Sequence, residues 1–316
     1  MKTLEISGVS RSRTQQALAV SGSPQAALLA LLALLAAEAI CFGPVVRHVG
    51  LYLDDWWIFC ILKFAPHSFA GLVSQLFADP RITIRPLEPI VYALPYLLFG
   101  AKPLAHHVVN AAVEVASAWF LYLAMARLSG NPAISLLASF IFLLYPAHDV
   151  THYWIGASAI TVSLALYNAS LWQSVKGSQD KKSTSLLLSV LLFAASVFSY
   201  ESFMPFSILN AVCVFIVYGR TEPRRRSAAK AGLYLVPYLA VILAMWFYRQ
   251  KLLPALGIGF TQHAHFKLDH AWEVISRGTA VFGGIGDQRR HAPTGPDTKT
   301  LILEGAAVFG GVDVKN

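Results

Sequence analysis

Seven apolar runs dominate the sequence, at roughly 24–46, 105–126, 132–147, 153–174, 184–200, 203–219 and 231–248. Each approaches the 17–25 residues that a helix needs to cross a bilayer. Lipid offers backbone amides no partners, so runs of this kind pair internally as helices. The charged fraction of 13% and mean hydropathy of +0.55 belong with that reading; soluble domains carry about 25% charged residues. The predicted fold class is therefore an α-helical polytopic membrane protein of about seven transmembrane helices.

An eighth apolar stretch, 86–100, contains Pro86, Pro89 and Pro95. Each proline removes a backbone donor, and the stretch is predicted to be a broken, re-entrant or surface-lying helix rather than a span.

Charge orients the spans. With the amino end inside, the inner segments are 1–23 (Lys2, Arg11, Arg13), 127–131 (Arg127), 175–183 (Lys176, Lys181, Lys182) and 220–230 (Arg220, Arg224, Arg225, Arg226, Lys230). These hold the basic clusters, as the positive-inside rule requires. A multi-pass protein of the cytoplasmic membrane with a cytoplasmic amino terminus follows. The net charge of +8 is thereby distributed over short loops between apolar runs, a pattern unlike a nucleic-acid surface. Cys41, Cys60 and Cys213 are too scattered for a disulfide framework or thiolate metal site and read as small apolar fillers.

The other face collects a different set. In the first outer loop, 47–85, stand Asp54, Asp55, Lys63, His67, Arg81 and Arg85. Beyond it come Glu88, His106, His107, His148, Asp149, His152 and Glu201, at the outer ends of successive spans. Ionisable groups at membrane depth are costly and mark function. Adjacent carboxylates repel, which suits one of Asp54 and Asp55 as a general base and the other as an orienting or metal-binding partner. A divalent cation, if one takes part, has its expected seat there. Trp56 and Trp57 fit an interfacial aromatic belt. Arg81 and Arg85 offer planar, many-donor groups suited to phosphate, with Glu88 as a partner. His148 and His152 stand at i, i+4, a ligand spacing that Pro146 and the short connection weaken. Most spans carry no charged residue deep within them; Glu38, in the first run, stands out.

Taken together, the aspartate pair after the first span, "RPL" before a proline-rich stretch ending "LLFG", "HHVVN" and "YPAHDVTHYW" resemble the GT-C glycosyltransferase superfamily over about residues 25–250. Its members include protein O-mannosyltransferase-like and aminoarabinose-transferase-like enzymes. The resemblance implies transfer of a sugar from a polyprenyl-phosphate donor to an acceptor hydroxyl of a glycan, lipid or protein on the outer face. It assigns Asp54 as base or acceptor-orienting carboxylate, with Asp55 in support. Arg81, Arg85 and His148 become donor-phosphate contacts, and Glu201 matches an acidic residue after the fifth span. Glu88, His106, His107 and Asp149 are the remaining candidate substrate-binding residues. The chain departs from the pattern by ending after seven predicted spans.

The carboxyl end differs in kind. "GTAVFGGIGDQRR" (278–290) recurs as "GAAVFGGVDVKN" (305–316) with a period of 27. Small and apolar residues alternating between Gly-Gly corners suggest stacked short strands. Residues 273–316, after a linker at 251–272, resemble the carboxyl-terminal domain of LiaF-like cell-wall stress-response proteins. The span count puts this segment outside, the resemblance inside. It also supports an alternative function, a non-catalytic membrane sensor or scaffold of envelope stress with the β-repeat as partner-binding module. The Gly-Gly motifs lack the Lys-Ser/Thr and helix start of a phosphate loop.

The orientation is testable in a variant whose native cysteines are replaced. A cysteine at Asp54 should react with an impermeant maleimide on intact cells, and one at Arg225 only after permeabilisation.

Overall fold

The computed structural model describes residues 23–145 and 149–258, with the backbone of 285–286 and 312–313. Ten helices carry the architecture: α1 (Pro24–Cys41), α2 (Asp54–Phe64), α3 (Phe69–Phe77), α4 (Glu88–Phe99), α5 (Pro103–Ser129), α6 (Pro132–Leu143), α7 (Ser158–Asp180), α8 (Ser183–Ser199), α9 (Ser207–Gly219) and α10 (Arg224–Phe247). Short turns and helices connect them. Among the described residues, five helical segments are long and apolar enough to cross a membrane: Pro24–Cys41, Pro103–Ser129, Ile155–Asp180, Glu201–Gly219 and Arg224–Ala255. The chain is a polytopic helical membrane protein. The predicted spans at 132–147 and 184–200 are helices of 12 and 17 residues, shorter than the other five.

Local chemistry sets the boundaries. Pro24, Pro103 and Pro132 occupy first turns, where a missing N–H breaks no bond. Asn131 caps α6 by accepting the amides of Ala133 and Ile134 at 3.0 and 3.2 Å. Gly130, at φ +68°, closes α5 in the left-handed region. The expectation of a broken helix at 86–100 needs correction, because α4 is continuous. Pro86 precedes it and Pro89 sits in its first turn, so Pro95 alone costs an internal bond. The stretch 47–85, expected as a loop, is largely helical. Ser68 caps α3 through the Gly71 amide, and Asp79 caps a single turn at Pro80–Thr83.

The long helices alternate in direction, which sorts the connections into two groups. Arg127 pairs with Asp180 at 3.1 Å, and the Arg220 guanidinium donates to the Leu128 carbonyl, so the basic segments share one end. The segments holding Asp55, Arg85, Gly156, Glu201 and Arg249 meet at the other.

The centre is α7, which packs against α5, α8 and α9. Its contact with α8 is a ladder of hydroxyls. Ser163 and Ser196 each donate to the other's carbonyl at 2.8 and 2.7 Å, and Ser170 and Ser189 do the same at 2.7 and 2.5 Å. Asn210 of α9 and Tyr238 of α10 extend it, bonding Ser170 and Ser189. Small residues let backbones approach where no water-driven force exists between helices. Gly177 shows how close: a Cβ there would lie 2.5 Å from Leu186 Cδ2. Cys41 and Cys60 face outward rather than filling the interior, and all three cysteines are free.

Residues 261–316 form a separate unit. In it Ile285–Gly286 pairs in parallel with Val312–Asp313. The rest of the expected β-repeat, and most of the expected linker, lie outside the described residues.

Gly177→Val should disrupt the α7–α8 contact more than Ser170→Ala. We expect about 0.6–1.7 kcal/mol for the single hydroxyl and a larger loss for the overpacked valine, read from unfolding midpoints in detergent.

Candidate active site

The turn that starts α2 separates the two aspartates. Leu53 sits at φ +44°, a region bulky side chains avoid. The strained turn is closed from both sides: the Asp55 amide donates to the Tyr52 carbonyl at 2.9 Å, and Asp55 Oδ2 accepts the Tyr52 amide at 2.8 Å. Asp55 Oδ1 accepts the amide of Gly156 at 2.6 Å, from the 3-10 turn Ile155–Ala157. Asp55 is fully buried, while Asp54, one residue earlier, is exposed. Burial pushes the Asp55 carboxyl above the usual range; the amides of Tyr52 and Gly156 and the nearby His107 pull against it.

From Gly156 a bonded path leads to a group of charges. The Gly156 carbonyl accepts from the Tyr92 hydroxyl at 2.6 Å, and that hydroxyl lies 3.1 Å from Glu88 Oε1. One phenolic proton cannot serve both acceptors, so the second contact is satisfied when Glu88 carries a proton. Burial does push Glu88 up, to about 7, against the pull of Arg85. Arg85 Nη1 is 3.4 Å from Glu88 Oε2, and its Nε and Nη2 grip Glu201 at 2.7 and 3.2 Å. Arg249 reaches the same Glu201 at 3.0 Å and donates through Nε to the Ile84 carbonyl. The Arg85 guanidinium also lies 3.9 Å from the centre of the Tyr200 ring. Burial alone would lower the Arg85 pKa; the Glu201 bond and charge, with Glu88, reverse that and leave it above the ordinary value.

A second guanidinium stands outside this cluster. Arg81 is 62% exposed, stacks 3.8 Å from the Trp57 ring centre and pairs with Asp79 at 2.9 Å. The Arg81 bond holds Asp79 below the usual carboxylate range. Arg81 also feels the charge of Asp54. The exposed face thus combines a free carboxylate, two tryptophans and a guanidinium. The buried face consists of bonds among protein groups.

The described candidate histidines lie on the buried side. His106 Nε2 is 2.8 Å from the Gly100 carbonyl, His107 Nε2 is 3.1 Å from that of Gly50, and both rings are buried. Asn110 donates to the Thr151 carbonyl. Asp149 starts a short helix, Asp149–Tyr153, and His148 lies outside the described residues. His152, of that helix, is buried with Glu38 and Glu114 at 4.0 Å on either side. Under α2 lies a cavity of about 250 Å³ lined mainly by apolar residues of α2, α4, α5 and α7, with His106, Asn110 and Ser158 as its polar edge.

The structure therefore joins Asp55, Glu88, Arg85 and Glu201 in one bonded network and keeps Asp54 and Arg81 on the exposed side. Sequence reading passed over Arg249, Tyr92, Tyr200 and Glu114. Arg249 had a signal: the last apolar run returns to the end that carries Glu201. Tyr92 and Glu114 lie inside apolar runs and had none. The divalent-cation expectation meets a poor donor set, since both Asp55 oxygens already accept amides. Among the described residues no cluster of three His, Cys, Asp or Glu side chains suits a metal.

No family model matches the chain, and no solved structure does. Among curated proteins it is 25% identical over 129 residues to the Protein O-mannosyl-transferase Tmtc1 of Drosophila melanogaster, covering 41% of this chain and 15% of that protein. It is 25% identical over 145 residues to the Protein O-mannosyl-transferase TMTC3 of Mus musculus, covering 44% and 15%. The chain thus spans about 15% of the length of the curated relatives it matches. The similarity points loosely to glycosyltransferase-like membrane proteins.

Asp55→Asn should destabilise the fold, because an amide oxygen replaces a carboxylate that accepts two backbone N–H groups. Bonds to a charged group contribute about 1.5–3 kcal/mol each. Asp54→Asn should leave the unfolding midpoint within about 0.5 kcal/mol of wild type.

Proposed function

We propose that this protein is a membrane glycosyltransferase that moves a sugar from a polyprenyl-phosphate donor to an acceptor hydroxyl on the extracytoplasmic face. The observation that carries the reading is the split of the aspartate pair. Asp55 is consumed in anchoring α2, which leaves Asp54 exposed on the same turn, in the field of Arg81 and beside Trp56 and Trp57. A carboxylate on an anchored turn, with its oxygens left open, is what a general base requires. The similarity to two proteins named as O-mannosyl-transferases supports the same chemistry.

In this reading Asp54 accepts the proton of the acceptor hydroxyl as its oxygen attacks the anomeric carbon. The bond from that carbon to the phosphate oxygen breaks, and polyprenyl phosphate leaves with its electron pair, inverting the sugar. Arg81 meets the phosphate where negative charge develops, and His148 is a further candidate there. Arg85, already gripped by Glu201 and Glu88, acts as a positioning residue. The aromatic rings offer a stacking face for the sugar. The positive-inside distribution supports an outer position for this end.

The test is transfer from a radiolabelled polyprenyl-phosphate hexose to hydroxyl acceptors by purified protein in lipid vesicles. Asp54→Asn should lower the rate about 10²–10⁴-fold, the range for a lost general base, with unchanged thermal stability. Arg81→Ala should raise KM for the donor, and Arg81→Lys should restore part of it. Wild-type rates in Asp54→Asn would overturn the assignment. A folded wild type with no transfer from any polyprenyl-phosphate sugar would favour the sensor or scaffold reading.

A further inference from the structure

A second group of ionisable side chains lies inside the bundle and takes no part in the network around Arg85. Glu38 comes from α1, Glu114 from α5 and His152 from the short helix Asp149–Tyr153. All three are buried, with Glu38 at 6% exposure and Glu114 at 0%. The imidazole stands between the carboxylates: Nε2 is 4.0 Å from Glu38 Oε2 and Nδ1 is 4.0 Å from Glu114 Oε1. The edge of Phe42 packs on the His152 ring, with centroids 3.8 Å apart. The Thr161 hydroxyl donates to Glu114 Oε1 at 3.3 Å. Both oxygens of Glu38 and Oε2 of Glu114 have no hydrogen-bond partner among the described residues.

This arrangement does not suit a metal. The carboxylates face opposite ring nitrogens, so one ion cannot reach both. It does suit a proton. With the ring neutral, two ionised carboxylates would bury a charge of −2, at a cost membrane interiors do not sustain. One proton turns the ring into an imidazolium that can donate to a carboxylate on each side. A second, on Glu38 or Glu114, makes the cluster neutral. Glu38 also lines a cavity of about 600 Å³ between α1 and the first half of α5, with its two carboxylate oxygens themselves buried. Among the described side chains, other charged or titratable groups lie nearby. Arg47 lines the same cavity, His106 and His107 bond backbone carbonyls, and Tyr153 lies 6.2 Å from the His152 ring.

We propose that Glu38, His152 and Glu114 form a proton-binding site within the membrane domain, an imidazole standing between two carboxylates and sharing protons with them, with Glu38 the member beside the cavity. Uptake forms an O–H or N–H bond on the cluster and breaks one O–H bond of the donating hydronium ion. The site is connected to the aspartate turn through the chain: His152 lies four residues before Gly156, whose amide holds Asp55. The inference is independent of the transferase reading.

The experiment is infrared titration of the purified full-length chain in detergent, with thermal midpoints measured in parallel. A native state that holds a proton the unfolded chain releases loses stability as pH rises. The wild-type midpoint should therefore fall by several degrees between about pH 6 and pH 9, the window above ordinary carboxyl titration. Glu38→Gln should flatten that slope. A protonated-carboxyl stretch should be present near neutral pH, persist in Glu88→Gln and be lost or halved in Glu38→Gln. A wild-type spectrum with no such band, or a band and slope unchanged by both Glu38→Gln and Glu114→Gln, would overturn the proposal. Should a variant fail to fold, a wild-type band that titrates away in Glu88→Gln carries the site, and its absence there rejects it.

Discussion

Burial of one carboxylate organises the end of the bundle where the candidate site lies. Asp55 brings a charge-bearing group to a place without water, which is tolerable because two backbone amides meet it, from Tyr52 and from Gly156. The first holds a turn containing a leucine at positive φ. The second ties residues 47–85 to the start of α7, 101 positions away in sequence. Losing the carboxylate would remove both bonds together, leaving α2 held by the apolar packing of Ile58, Phe59 and Leu62. The exposure of Asp54 is a product of that anchoring.

Charge is handled in two ways in this protein. Near the site, Arg85, Glu88, Glu201 and Arg249 satisfy one another, the two guanidinia sharing Glu201. Such networks gain little net stability over apolar packing, but each member fixes the next. In the helical interior the polar groups are hydroxyls and amides, which bond at lower desolvation cost. Glu38, His152 and Glu114 break that pattern, and three of their carboxylate oxygens have no hydrogen-bond partner among the described residues.

Much of the fold was legible because a bilayer imposes a simple rule. Within the described residues the seven apolar runs are mainly helical, five of them long enough to span, and alternating directions bring the ends that carry Asp55, Arg85 and Glu201 together. What stayed hidden depended on contacts distant in sequence. Nothing in "LYLDDWWIF" says which aspartate turns inward; the answer lies in Gly156. Glu114 is one acid in an apolar run, and its place beside His152 follows from how α5 meets a helix 35 residues later. Proline count misled at 86–100, because two of three prolines fall where a helix has no bond to lose. The helices within 47–85 were signalled by Ser68 and Asp79, caps easily passed over among bulky apolar neighbours.

The serine ladder between α7 and α8 has a mechanical consequence. Ser163 and Ser170, like Ser189 and Ser196, are spaced by two helical turns, and the four hydroxyls lock both rungs at once. Sliding one helix along the other by a single turn would break every rung together. The pair therefore behaves as a stiff strut from the basic end of the bundle to Tyr200 and Glu201. The two rungs thus set the register of α8 on α7, and with it where Tyr200 and Glu201 stand beside Arg85.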